Sequence, residues 1–118
     1  MPKYVLLLHD ALNAYASLSP DEMQQVLHKY VAWGGRLRAA GVLQGGEKLT
    51  DDPGKVMGGG NGQIRVTDGP YSETKEVMGG YYIIAADSYD KAVDLARDCP
   101  HFDYGGRIEV RQIDAMAE

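Results

Sequence analysis

Residues Tyr4 to Leu8 read Tyr-Val-Leu-Leu-Leu, apolar at every position instead of at every second one. In an extended chain successive side chains point to opposite faces, so Val5 and Leu7 look one way while Leu6 and Leu8 look the other. Such a segment is stable as a strand when both its faces are covered or when it lies in the middle of a sheet. Any fold for this chain must therefore place a strand over Tyr4 to His9 near the centre and find apolar cover for two sides of it.

The rest of the chain offers two helices as cover. Ser19-Pro20-Asp21-Glu22 supplies a capping serine, a proline at the first helical position and a glutamate three residues after the cap. Met23, Val26, Leu27, Tyr30, Trp33, Leu37 and Ala40 follow at three- and four-residue spacing, and Gly41 ends the helix. Gly34-Gly35 costs about 1 kcal/mol per glycine inside this helix, which predicts a close approach or a bend there. A second helix starts at Asp87-Ser88, carries Ala92, Val93, Ala96 and Cys99 on one face, and is stopped by Pro100. Further strands are expected over Val42 to Leu49, Gln63 to Thr67, Gly80 to Ala86 and Arg107 to Ile113. Gly58-Gly59-Gly60-Asn61-Gly62 lacks the Gly-Lys-Ser/Thr ending of a phosphate cradle and reads as a flexible hairpin connection. This order gives one α+β domain over residues 1–118, a ferredoxin-like split βαβ sheet with two helices on one face and an inserted loop. The opposite face is left bare. Each buried leucine or valine contributes about 1.5–3 kcal/mol relative to exposure, so the bare face favours a homodimer.

Composition removes several functions. With 118 residues the chain has room for one core, and 12 basic against 17 acidic residues give a formal charge of -5. No cluster of Lys or Arg is long enough to track a phosphate backbone, so nucleic acid is not an expected partner. The apolar run at the start is too short for a signal-peptide core or a membrane span, which points to a cytoplasmic protein without membrane contact. Cys99 is single and reads as a small buried hydrophobe. Three histidines and one cysteine form no zinc spacing, and His101 follows Pro100 with no partner at metal-ligand distance in sequence, so no metal is expected. Nucleophile-elbow, redox-cysteine and dinucleotide patterns are all missing, and no cofactor is expected.

The densest polar stretch is Asp68-Gly69-Pro70-Tyr71-Ser72-Glu73-Thr74-Lys75-Glu76, which runs straight into the apolar Val77 to Ile84. Asp68 suits either of two roles. It can accept hydrogen bonds from backbone amides in the Asp-Gly-Pro turn, ordering the loop. Alternatively Asp68 and one of the glutamates approach each other near Tyr82 and His9, so that burial and mutual repulsion raise one carboxyl pKa into the range useful for proton transfer. Glu73 and Glu76 can share one side of a turn, either as solvated charges or as ligand contacts. In the last strand Arg107, Glu109 and Arg111 oppose Ile108 and Val110 and face the open side, as edge charges or as a binding interior. Arg111, nearest the strand centre, has the planar fork that suits an anion. His9, Tyr82 and Arg111 are expected in one cavity, with His9 and Asp68 as catalytic candidates and Tyr82, Arg111, Glu73 and Glu76 as substrate-binding candidates. The choice of Tyr82 over Tyr81 turns on a one-residue register.

Asp68-Gly69-Pro70-Tyr71 with its continuation to Ile84, the opening Lys3 to Leu8, the Ala40-Gly41-Val42-Leu43 turn and the closing Gly106 to Arg111 together resemble the DGPF-type branch of the YCII-related family. The resemblance implies a dimeric α+β barrel in which two sheets face each other. It also implies a histidine and aspartate pair with the histidine on the first helix. Here the nearest helical histidine is His28, and the family position falls on Tyr30. Two function classes follow. One is a dimer that binds a small polar or anionic metabolite between the subunit sheets, with acid–base chemistry. The other is a non-catalytic regulatory dimer tied to extracytoplasmic-function sigma factors, beside whose genes DGPF-type genes often lie. A deep pocket with a histidine or carboxylate favours the first, and a flat patch favours the second.

Overall fold

The computed structural model describes residues 1–69 and 74–117. In chain order the elements are β1 (Lys3–Ala11), α1 (Pro20–Ala39), β2 (Leu43–Lys48), β3 (Lys55–Gly60), β4 (Gln63–Asp68), β5 (Glu76–Ala85), α2 (Tyr89–Ala96) and β6 (Arg107–Gln112). A short 3-10 turn, Pro100–Tyr104, joins α2 to β6, and another over Ala115–Ala117 follows it. The strands form a four-stranded antiparallel sheet in the order β2-β5-β1-β6, and β3 and β4 make a separate antiparallel pair. The unbroken apolar strand β1 thus lies inside the sheet, between β5 and β6.

Burial along β1 follows the two-fold period of a strand. Tyr4, Leu6 and Leu8 are buried, whereas Val5, Leu7 and His9 are half-buried. The buried set meets both helices in one core with Trp33 and Leu37 of α1, Ala92 and Ala96 of α2, and Ile84 of β5. Both helices therefore cover the same face, and among the described residues no helix lies over the odd-numbered face of β1. Trp33, the largest core side chain, donates its indole N–H to Asp98 at 2.9 Å, so the burial of its polar atom is compensated.

Each end of α1 has a local cause. The Ser19 hydroxyl accepts from the Glu22 amide at 3.1 Å, and the Glu22 carboxylate accepts from the Ser19 amide at 3.0 Å. Gly41 leaves the helix at a φ of 77°. The helix runs through Gly34-Gly35 without a break, and Gly34 lies over the Tyr82 ring, where an added Cβ would stand 3.8 Å from Cε1.

Three departures from the sequence expectation go beyond a residue or two at an element's end. β5 begins at Glu76 instead of Gly80, because an extra residue is accommodated as a bulge opposite Leu8 and His9 and pairing resumes at Met78 and Val77. The second helix ends at Ala96, and Cys99 is buried beyond it. The glycine run is not a loose connection either, since Gly58 to Gly60 pair with Arg65, Ile64 and Gln63 and the turn itself is Asn61-Gly62.

Candidate functional site

A cavity of about 630 Å³ opens between α1 and the β2–β5 edge of the sheet. Its walls are apolar where α1 supplies Met23, Val26, Leu27 and Val31, and backbone-lined where Gly45, Gly46, Gly79 and Gly80 approach from the sheet. Arg38 and Lys48 stand at its rim with Glu47 and Asp51. The Lys48 ammonium already donates to the Leu49 carbonyl at 2.9 Å and lies 3.8 Å from Asp51. Tyr82 enters from the sheet, half-buried, with its ring edge-on to Trp33 at 5.0 Å.

Asp10, Tyr15, Tyr30 and His101 converge on the same cavity from four parts of the chain. The Tyr15 hydroxyl donates to Asp10 Oδ1 at 3.2 Å and lies 3.3 Å from the Tyr30 hydroxyl, which is 2.8 Å from His101 Nδ1. The other imidazole nitrogen, Nε2, lies 2.8 Å from the His9 carbonyl oxygen. A carbonyl can only accept, so Nε2 carries a proton. Nδ1 can then take either of two states. With Nδ1 bare, Tyr30 donates to it and Tyr15 donates to Asp10. With Nδ1 protonated, the imidazolium donates to Tyr30, Tyr30 to Tyr15, and Tyr15 to the Asp10 carboxylate, all on the same four groups. The second state holds one proton more than the first, taken up at Nδ1, and only the Tyr30 hydroxyl turns between them, since Tyr15 donates to Asp10 in both. His101 Nδ1 and Asp10 Oδ1 are 3.7 Å apart, with side-chain exposures of 2% and 15%. Burial pushes the Tyr15 phenol up to about 12, helped by the Asp10 carboxylate, and holds the Tyr30 phenol higher still. Both hydroxyls keep their protons at neutral pH and act as hydrogen-bond carriers.

Two glycines make room for this arrangement. A Cβ at Gly79 would overlap the Asp10 carboxylate, and one at Gly106 would overlap the His101 ring. The bulge in β5 places Gly79 there, and Gly105, at a φ of 75°, turns the chain so that the Gly106 amide can donate to the His101 carbonyl at 3.2 Å. Among the described residues no group of three His, Cys, Asp or Glu side chains could hold a metal ion.

The profile of the YCII-related domain matches residues 2–117. The chain belongs to the YCII-related family. A relative of this YCII-related protein, an uncharacterized protein of Rhizobium meliloti (strain 1021), is 30% identical over 112 residues, covering 93% of this chain and 90% of its own. Among solved structures it is similar to 5-chloro-2-hydroxyhydroquinone dehydrochlorinase from Burkholderia phenoliruptrix AC1100, in complex with 2,5-dihydroxybenzoquinone. That likeness has a TM-score of 0.49 and 16% identity over 95% of this chain and 93% of that one.

Within the YCII-related domain the residues singled out from the sequence are dispersed. His9 and Arg111 share the face without helices, where His9 Nε2 donates to Glu109 Oε1 at 3.3 Å and Arg111 is exposed opposite Val5. Tyr82 pairs with Leu6 and so lies on the helix face. The expected grouping of His9, Tyr82 and Arg111 in one cavity is thus corrected by register, and Tyr81, opposite Leu7, is the tyrosine on the His9 side. Asp68 closes β4, in the other sheet from His9, with an exposed carboxylate that accepts from Lys55 Nζ. Glu76 takes both the Nε and the Nη2 hydrogens of Arg107, the latter at 2.9 Å, and this bond holds its carboxyl below the usual range. Glu73 and the turn amides expected to order Asp68 lie outside the described residues.

Sequence reasoning passed over Asp10, Tyr15, Tyr30 and His101 as a group. A signal was present in the glycine pairs Gly79-Gly80 and Gly105-Gly106, each next to a polar side chain in space, but only the fold reveals which one.

Proposed function

We propose that this YCII-related domain binds a small polar or anionic metabolite in the cavity between α1 and β2 and exchanges a proton with it through Asp10, Tyr15, Tyr30 and His101. The observation that carries this reading is a hydrogen-bonded chain from a carboxylate to an imidazole on the wall of an open cavity. Such a chain can take up or release a proton near a bound substrate at little cost in reorganisation. Arg38, at the rim and without an ion-pair partner among the described residues, suits an anionic end of the ligand, while Met23, Val26 and Leu27 suit an apolar middle. The strand order with two helices on one face supports a ferredoxin-like split βαβ reading, the signature around Asp68 supports the DGPF branch, and the half-buried Val5, Leu7, Tyr81 and Ile83 support a homodimer through the uncovered face.

A thermal-shift screen of hydroxy and oxo carboxylic acids tests binding, because a ligand at 100 times its dissociation constant adds about 2.7 kcal/mol. Hits should stabilise the wild type and lose their effect in Arg38→Gln. Proton exchange is read by NMR in heavy water, as deuterium entering the carbon next to the carbonyl of a bound hit. Exchange should be catalysed by the wild type and abolished in Asp10→Asn. Hits indifferent to Arg38→Gln, or exchange indifferent to Asp10→Asn, overturn the assignment of this cavity.

A further inference from the structure

One side of α1 sets the distance between the two ends of the cavity. Tyr30, Gly34 and Arg38 all line it and follow one another at four-residue steps, so they form one row along the helix. Tyr30 belongs to the proton relay through its contact with His101. Arg38 is exposed and pairs with no acidic group among the described residues. Lys48, the other permanent cation on the lining, is held by the Leu49 carbonyl and Asp51. Among the described residues an anion in this cavity thus finds one free cation, and it stands eight residues from Tyr30.

Eight residues of α-helix rise about 12 Å. Both side chains lean toward the helix N-terminus, so the lean does not close that separation. The stretch between them carries no charge: Gly34 and Gly35 of α1 face Gly45 and Gly46 of β2, and Gly34 lies over the Tyr82 ring. A carboxylate on Arg38 takes up about 2.9 Å of the span as a hydrogen bond, and a carbon in reach of the Tyr30 hydroxyl takes up about 3.2 Å. About 6 Å remains between the carboxylate oxygen and that carbon, the reach of about five extended single bonds. In a 2-oxo acid the exchangeable carbon is only three bonds from the carboxylate oxygen, too few to engage both ends at once.

We propose that the substrate of this cavity is a long-spaced oxo acid, its carbonyl at about the fifth carbon counted from the carboxylate, with Arg38 binding the carboxylate and Tyr30 taking the proton beside the carbonyl. The spacing deepens the proton-exchange reading and rests on it. In the step the C–H bond breaks, its electron pair forms the carbon–carbon double bond of an enolate, and the carbonyl oxygen takes the charge. The proton passes to the Tyr30 hydroxyl as that hydroxyl gives its own to the bare Nδ1 of His101, and the reverse sequence returns a deuteron in heavy water.

Four isomers of equal size, 2-, 4-, 5- and 6-oxoheptanoate, test the spacing on the whole chain. NMR in heavy water gives kcat/KM for deuterium entry, divided for each isomer by its own rate in buffer. In the wild type 5-oxoheptanoate should lead the 2-oxo isomer by about tenfold or more, because a misplaced reacting carbon loses the oriented contact. A double variant then moves the cation. Gly35 lines the cavity, is exposed, and an added Cβ there meets nothing within 4 Å, so Arg38→Gln/Gly35→Arg carries the guanidinium about 4.5 Å toward Tyr30. This variant should keep the wild-type circular dichroism, and the 2-oxo isomer should take the lead in it. A 2-oxo lead in the wild type, or a ranking that a folded double variant leaves unchanged, overturns the spacing while proton exchange stands. Exchange of no oxo acid, or exchange indifferent to Asp10→Asn, overturns the proposed function and the spacing with it.

Discussion

His101 is placed by atoms that are not side chains as much as by those that are. The His9 carbonyl fixes which nitrogen bears the proton, and the missing Cβ of Gly106 gives the ring its space. Gly106→Ala should therefore displace the imidazole or the 3-10 turn and cost about 1–3 kcal/mol by overpacking, read from the shift of the urea midpoint. Tyr30→Phe is a cleaner probe of the network. It removes the hydroxyl bonded to Nδ1 and keeps the ring, so the loss expected is about 1–3 kcal/mol for a buried nitrogen left unpaired. Loss of deuterium exchange with ligand binding retained would place Tyr30 in proton transfer and not in binding. None of this was legible from His101 in the sequence, where a histidine after Pro100 looks like a loop residue. Its partners come from β1, α1 and the stretch between them, and only tertiary packing brings those together.

At the scale of elements, what the sequence made plain is what local physics decides. The α1 start needed only Ser19, Pro20 and Glu22, and the reciprocal Ser19–Glu22 bonds are formed. Ser19→Ala should cost about 1 kcal/mol in denaturant unfolding, since the Glu22 amide then loses its acceptor. The cavity wall is built on the first turns of α1, so the same variant should also weaken ligand stabilisation. The central place of β1 was equally legible, because an unbroken apolar strand has few other places to go. The facing of Tyr82 was not, because it depends on where a bulge falls: one extra residue at Gly79 separates the Glu76–Met78 register from that of Gly80–Ala85. The hairpin was half legible. The run Gly58 to Gly62 read as a hairpin connection, but its three consecutive glycines concealed the strand that leads into the turn at Asn61-Gly62.

For the whole molecule, burial of ionisable groups in the core and on the cavity wall ties stability to pH on the alkaline side. The Cys99 thiol is pushed by burial from 9.0 up to about 11, and the Tyr15 and Tyr82 phenols from 10.0 up to about 12, again chiefly by burial. Each group binds its proton more tightly in the folded chain than in the unfolded one. Its contribution is fully present below the unfolded pKa and is lost as pH rises through the folded value, because the unfolded state releases the proton first and gains by doing so. Urea midpoints should therefore decline from about pH 9, where Cys99 begins to favour the unfolded chain, and more steeply from about pH 10, where the tyrosines join. Two substitutions separate the contributions. Cys99→Ala should remove the early part of the decline, and Tyr15→Phe should reduce the slope above pH 10 while leaving the onset in place. A midpoint that stays flat to pH 11 would mean that these groups are solvated in the folded chain. The core around Trp33 and the hydroxyl chain beside it would then be far looser than their packing requires.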